Sequence, residues 1–227
     1  MTRELHDHFF KQAKRDGYLS RAAYKLIEID DKRSILRKGM YVLDCGAAPG
    51  SWCQVAGDRV APNGRVIGVD LQAINHRFRS ENVRTLQMDL HDVTPEVMRE
   101  LLAPRTKFDA VLSDMAPSTT GDRTIDHHGS VRLCHLVLDR LTDWLKSGGP
   151  VVMKVFEGEA YAALLDRVRA GFDSARGFKP KASRDVSTEM YIVATGFRGS
   201  MPPAERADDV PPEFELPKRR PSTGWGS

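Results

Sequence analysis

The run Tyr41-Val42-Leu43-Asp44-Cys45-Gly46-Ala47-Ala48-Pro49-Gly50 constrains this chain more than any other stretch. Apolar residues from Met40 to Leu43 end in an acid, Asp44. Small residues and Pro49 follow, and Gly50 stands just before a helix-like segment, Ser51–Val60. Such a pattern reads as a strand that delivers a tight loop. The loop lets a ligand touch bare backbone at a helix N-terminus. Glycines stand at 46 and 50 with no third one following, so the dinucleotide fingerprint is not met. The turn is closer to one for a nucleoside without a pyrophosphate, which points to an adenosine-type cofactor such as S-adenosylmethionine.

The rest of the chain repeats the strand–helix alternation. Strands are expected at 40–45, 65–70, 83–88, 108–113 and 150–155, with helices at 20–32, 51–60, 94–103, 126–146 and 158–171. Ser20 is the expected cap of the first of these helices. A late strand pair is expected at about 177–182 and 190–195. Alternation of this kind predicts an α/β fold of the Rossmann-like class, with a mostly parallel sheet covered by helices on both faces. Six of the 13 prolines fall in 199–227, where apolar periodicity is lost, so a disordered Pro-rich tail is expected after a domain spanning 1–198.

Ligands of open α/β sheets bind beyond the carboxyl ends of the strands. Four successive expected strands close on acids: Asp44, Asp70, Asp89 and Asp114. Turns favour Asp, so any one of them alone means little. As a series they outline a pocket. Asp70, 20 residues after Gly50, suits the two hydroxyls of a ribose. Asp89, beside the backbone amide of Leu90, suits an adenine amine. The fifth strand carries Lys154 inside the apolar run Val151-Val152-Met153-Lys154-Val155-Phe156. Burying a lysine is costly unless it is paired or used. A lysine held dry beside another cation can serve as a general base.

Charge and cysteine content narrow the class. The net charge is only +3, but residues 1–39 carry ten Lys/Arg against six acids. A second basic cluster comprises Arg176, Lys179, Lys181 and Arg184. Two such patches suit a polyanion, with Arg21, Lys32, Arg33 and Arg184 as candidate phosphate contacts. Cys45, Cys53 and Cys134 form no C-x-x-C pair and read as small apolar fillers, and His127 and His128 lack a matching ligand spacing, so no metal site is expected. No run of about 18 apolar residues is present, so no membrane span is expected.

At these residues the chain resembles the FtsJ-type 2′-O-ribose RNA methyltransferases. The matching segments are Ser20–Leu26, Val42–Trp52, Ser113–Pro117, Lys154–Phe156 and Glu189–Thr195, in the family's order over roughly 5–197. The resemblance implies a Lys-Asp-Lys-Glu tetrad, which falls on Lys25, Asp114, Lys154 and Glu189. It places cofactor contacts on Gly50, Trp52, Asp70, Asp89 and Asp114. Together with the loop reading, the expected cofactor pocket comprises Asp44, Gly46, Pro49, Gly50, Ser51, Trp52, Asp70, Asp89, Leu90 and Asp114. Ser51 stands where bacterial members usually have glycine. Thr120–Arg123, Asp126-His127 and Leu133-Cys134 are similar to the mitochondrial branch, which implies a uridine ribose of large-subunit ribosomal RNA, or the pre-ribosomal subunit, as substrate. A mitochondrial location is the expectation, with a cytoplasmic one as alternative, because residues 1–20 include Glu4, Asp7 and Asp16 and make a poor presequence. A monomer is expected. Competing readings are a nicotinamide oxidoreductase, a methyltransferase acting on a base nitrogen or on another RNA such as tRNA, and a non-catalytic ribosome-assembly factor.

Overall fold

A computed structural model of the chain describes residues 2–182 and 188–204. Arg184 and residues 205–227 therefore lie outside the described residues. In chain order the elements are α1 (Thr2–Asp16), α2 (Ala22–Arg33), β1 (Tyr41–Cys45), α3 (Ser51–Val60), β2 (Arg65–Asp70), β3 (Val83–Gln87), α4 (Pro95–Leu102), β4 (Ala110–Ser113), α5 (Arg123–Trp144), β5 (Val151–Phe156), α6 (Tyr161–Gly171), β6 (Phe172–Phe178) and β7 (Glu189–Phe197). A short 3-10 turn, Leu90–Asp92, precedes α4.

One seven-stranded sheet holds the molecule, in the order β3-β2-β1-β4-β5-β7-β6. Its first five strands run parallel, and β7 runs antiparallel to both β5 and β6. Strand order reverses between β1 and β4, and a crevice opens at the carboxyl ends there. Side chains alternate across each strand. Leu43, Val111, Met153 and Ile192 enter one core with Leu138 and Leu141 of α5 and Val168 of α6. Val42, Leu112, Val152 and Tyr191 enter the other, with Leu26 and Ile29 of α2 and Val55 of α3. The central strands are buried on both faces, which is why they read as continuous apolar runs.

Several boundaries differ from the expectations. The helix expected at 20–32 begins at Ala22, and Ser20 Oγ accepts the Ala22 N–H at 3.2 Å just before it. The helix expected at 126–146 starts at Arg123, because the Asp122 carboxylate caps it by accepting the N–H groups of Thr124 and Ile125. The edge strand expected at 177–182 lies at Phe172–Phe178. Residues 199–204, assigned above to the tail, pack on the domain. Met201 lies against the core, and the Pro202 carbonyl accepts from Arg167 Nη2 at 2.9 Å.

Candidate active site

The crevice is lined first by the loop after β1. Gly46 takes φ +72°, and a Cβ there would stand 2.3 Å from Met115 Cγ. Gly50 takes φ +112° and precedes α3 without any side-chain cap. Both positions demand glycine. The loop ties back to β2, since Gly46 N–H donates to Val69 O and Ala48 N–H to Asp70 Oδ2 at 3.0 Å. The Ala48–Pro49 peptide is cis. Ser51 and Trp52 open α3. Ser51 Oγ lies 2.8 Å from Ser20 Oγ, and the indole N–H of Trp52 donates to Ala22 O at 2.9 Å. Both contacts join the start of α3 to the chain at the start of α2.

Asp44 is fully buried at the end of β1. Cys53 Sγ donates to its Oδ2 at 3.2 Å, while Oδ1 has no partner. Burial pushes the Asp44 carboxyl up to about 7, helped by the nearby Asp114 and Asp70 charges and opposed by the Cys53 bond. Asp70 Oδ1 accepts the Gln72 N–H at 2.7 Å, so this carboxylate is held at both oxygens. Asp89 accepts the His91 N–H at 2.9 Å and caps the turn that begins with buried Leu90.

The second wall carries two ion pairs. Lys25 Nζ donates to Glu189 Oε2 at 2.8 Å, joining α2 to the start of β7. Lys154 Nζ donates to the Asp114 carbonyl at 2.6 Å and sits 3.2 Å from Asp114 Oδ1. Both lysines are buried, with side chains only 5% and 7% exposed. The four residues named by the tetrad are thus gathered as two pairs from α2, β5, β7 and the end of β4. Burial works to raise the Glu189 carboxyl, but Lys25, Lys154 and Arg21 outweigh it and hold Glu189 below its ordinary range.

Tyr191, which the sequence placed in the matching segment Glu189–Thr195 without a role, joins the pairs. Its hydroxyl donates to Asp114 Oδ1 at 2.6 Å, its ring centroid lies 5.7 Å from that of Trp52, and Lys25 Nζ lies 5.8 Å from the centroid. The register explains why it was hidden: Tyr191 pairs with Lys154 across β5 and β7, where it reads as one more apolar strand residue.

Three side chains of α5 also act on this wall. β4 stops at Ser113, opposite Met153, so β5 runs on without a neighbour on that side. His127, Ser130 and Cys134 replace the missing strand. Cys134 Sγ donates to Lys154 O at 3.2 Å, and Ser130 Oγ accepts the Phe156 N–H at 2.9 Å. His127 Nδ1 donates to Phe156 O at 2.7 Å, and its Nε2 accepts the Ala160 N–H at 3.0 Å. Both ring nitrogens are therefore committed, and Cys134 is a donor rather than a filler. Among the described residues no group of three or more His, Cys, Asp or Glu side chains converges as a metal site would need. No described helix is long and apolar enough to cross a membrane.

The residues present fit a methyl-donor nucleoside. The uncapped start of α3 offers N–H groups to a carboxylate, and the acids at the ends of β2 and β3 offer acceptors to hydroxyl and amine groups. The model of the FtsJ-like methyltransferase family matches residues 18–197. Ribosomal RNA large subunit methyltransferase E of Syntrophobacter fumaroxidans is 45% identical over 200 residues, covering 88% of this chain and all of that protein. The protein of the same name from Anaplasma marginale is 43% identical over 203 residues, covering 88% of this chain and 98% of its own. A crystal structure described as a ribosomal RNA methyltransferase of Plasmodium falciparum superposes with a TM-score of 0.71 at 32% identity, over 80% of this chain and all of that one. The chain belongs to the FtsJ-like methyltransferase family.

Proposed function

We propose that this protein transfers a methyl group from S-adenosylmethionine to the 2′-oxygen of a uridine ribose in large-subunit ribosomal RNA. The observation that carries the reading is the set of two ion pairs, Lys154–Asp114 and Lys25–Glu189, each with a buried lysine and a half-buried carboxylate, beside the glycine-bearing loop. The names of the relatives support the RNA class. The uridine and its 2′-oxygen rest on the resemblance of the tetrad and of Thr120–Arg123, Asp126-His127 and Leu133-Cys134. A mitochondrial location rests on that same resemblance, and the chemistry does not depend on it.

The loop Gly46–Gly50, Ser51 and Trp52 of α3, Asp70, and Asp89 with Leu90 would hold the cofactor. When bound, it supplies a sulfonium methyl that is already electrophilic. The remaining work is to place a ribose hydroxyl and manage its proton, and orientation alone lowers such barriers by up to about 7–11 kcal/mol. Lys154 is the residue for that task. Its ammonium spends two contacts on Asp114, and a third donor remains for the 2′-oxygen. Asp114, steadied by Tyr191, holds Lys154 in place, while Glu189 holds Lys25. Two cations balanced by two anions make burial of the group tolerable. Entering as the free amine, Lys154 takes the ribose proton itself; entering as the ammonium, it stabilises the negative charge that builds on the 2′-oxygen, and the proton passes to water. All four side chains come from one chain, so a monomer suffices.

The test is methyl transfer to a large-subunit ribosomal RNA transcript and to large subunits from cells lacking this protein, compared with Lys154→Ala. Turnover is expected to fall by about 10²-fold or more with cofactor affinity nearly unchanged. Near-wild-type transfer by Lys154→Ala would remove the lysine from the mechanism. Absence of transfer by the wild type to either substrate would remove the reaction itself.

A further inference from the structure

The opposite end of the sheet carries a feature that methyl transfer does not use. The loops entering β1, β4 and β5 converge on a groove of about 560 Å³. Arg37 and Lys38 come from the first loop, Arg105 and Lys107 from the second, and Lys146 from the third. One carboxylate, Asp109, lines the groove with them. The whole chain has a net charge of only +3, so this groove concentrates the protein's positive charge.

The lone acid is already saturated. Asp109 Oδ2 accepts the Tyr41 N–H at 2.8 Å and pairs with Arg105, and Lys146 Nζ lies 3.6 Å from Oδ1. Arg37 and Lys38 are exposed and form no ion pair among the described residues. Two of the cations are held in place. The Arg105 guanidinium lies 4.1 Å from the Tyr41 ring centroid and donates to Gly39 O, and Lys107 Nζ donates to Thr142 O at 2.7 Å. Gathering five like charges from three loops costs folding energy through repulsion, and a polyanion would offset that cost. Apart from Met40, the lining has no large apolar side chain, whereas protein interfaces centre on aromatic and apolar anchors. Repeated phosphates are the better match.

We infer that this groove is a second RNA-binding surface, which grips the phosphate backbone of a segment remote from the methylated ribose. The inference rests on ribosomal RNA being the substrate. β1, β4 and β5 present their carboxyl ends to the tetrad and their amino ends to the groove. With five residues in β1, the two sites lie about 15–20 Å apart along the strands. A short RNA seated at the tetrad would leave the groove empty, whereas a large folded RNA would reach both.

The experiment measures binding of the full chain to a large-subunit ribosomal RNA transcript between about 50 and 200 mM salt. The wild type is compared with Arg37→Glu/Lys38→Glu/Lys146→Glu, with cofactor binding and Tm as checks on folding. The slope of log K against log salt is expected to shrink by about 2 to 3, and affinity at the higher salt to drop about tenfold or more. If the charge reversals disturb folding, the same positions changed to Gln are expected to reduce the slope by about 2. An unchanged slope and affinity in a folded variant would overturn the groove. So would unchanged RNA binding alongside lost binding of poly-glutamate, which would mark an acidic protein partner instead. Wild-type methyl transfer to the same transcript separates the two ideas. Its absence sinks the reaction, whereas an unaltered slope in a variant of an active enzyme sinks the groove alone.

Discussion

The hydroxyl of Tyr191 donates to Asp114 Oδ1 at 2.6 Å, on the same carboxylate oxygen that Lys154 Nζ approaches at 3.2 Å. Burial, reinforced by the Asp114 and Glu189 charges, holds the phenol well above its ordinary pKa, so it stays a donor through the physiological range. Removing that donor loosens the anchor of Lys154 and keeps the ring that packs beside Trp52. Tyr191→Phe is expected to lower kcat about tenfold while cofactor affinity holds, since a hydrogen bond to a charged group is worth about 1.5–3 kcal/mol. Steady-state kinetics and calorimetric cofactor titration check this. A kcat within twofold of wild type would show that Asp114 is held well enough without the phenol.

Asp44 predicts an unusual pH dependence of stability. Its carboxyl rises from about 3.8 unfolded to about 7 folded, so the folded state holds a proton that the unfolded state has released between those values. A raised carboxyl stabilises the fold most below the lower value, and the benefit is lost as pH climbs towards the upper one. Asp44→Asn abolishes that titration. Relative to the variant, the wild type is expected to lose about 2–3 kcal/mol of stability between pH 5 and pH 8. Urea denaturation of both proteins at the two pH values measures it, and parallel curves would exclude a buried ionisable Asp44.

Lys25 is buried against the half-buried Glu189, so their contributions are not separable by single substitutions. Glu189→Leu strands the Lys25 ammonium and is expected to cost about 3–5 kcal/mol. Lys25→Met/Glu189→Leu removes both charges and is expected to recover most of that loss, with activity abolished. Denaturant midpoints of the two variants decide the matter. Equal losses in both would mean that the pair contributes packing rather than charge compensation.

The α5 clasp on β5 predicts stability effects at residues remote from any ligand. Ser130→Ala leaves the Phe156 N–H without its acceptor, an omission that costs about 1–3 kcal/mol in a buried site. Tm is expected to fall by about 3–10 °C. Cys134→Ser, which keeps a donor for Lys154 O, is expected to retain more activity than Cys134→Val, which keeps bulk and loses the donor. Thermal scans and kcat measurements check both.

The parallel half of the fold was legible because each central strand is apolar on both faces and closes on an acid. Asp44, Asp70 and Asp114 all stand where strand-end reasoning places them. Lys154 was legible as a charge inside an apolar run, whereas Lys25 and Glu189 became visible only through resemblance, because each looks like an ordinary surface charge. The β6 edge was misplaced for a definite reason. Phe172, Ala175 and Phe178 are buried at every third position with Asp173 and Arg176 between them, so the period-two signal is missing. Tyr191, Ser130 and Cys134 were missed because their roles are set by partners 77, 26 and 20 residues away, which no local pattern encodes.

Because β4 quits beside Met153, the backbone beneath Lys154 borrows its footing from a helix on one flank and from the sheet on the other. The key ammonium therefore reports the seating of α5 as well as the geometry of the strands. An alteration anywhere along that long helix that shifts it by a fraction of a turn would displace Lys154, so sequence drift on the outer surface of the domain is tolerated only while it leaves α5 seated.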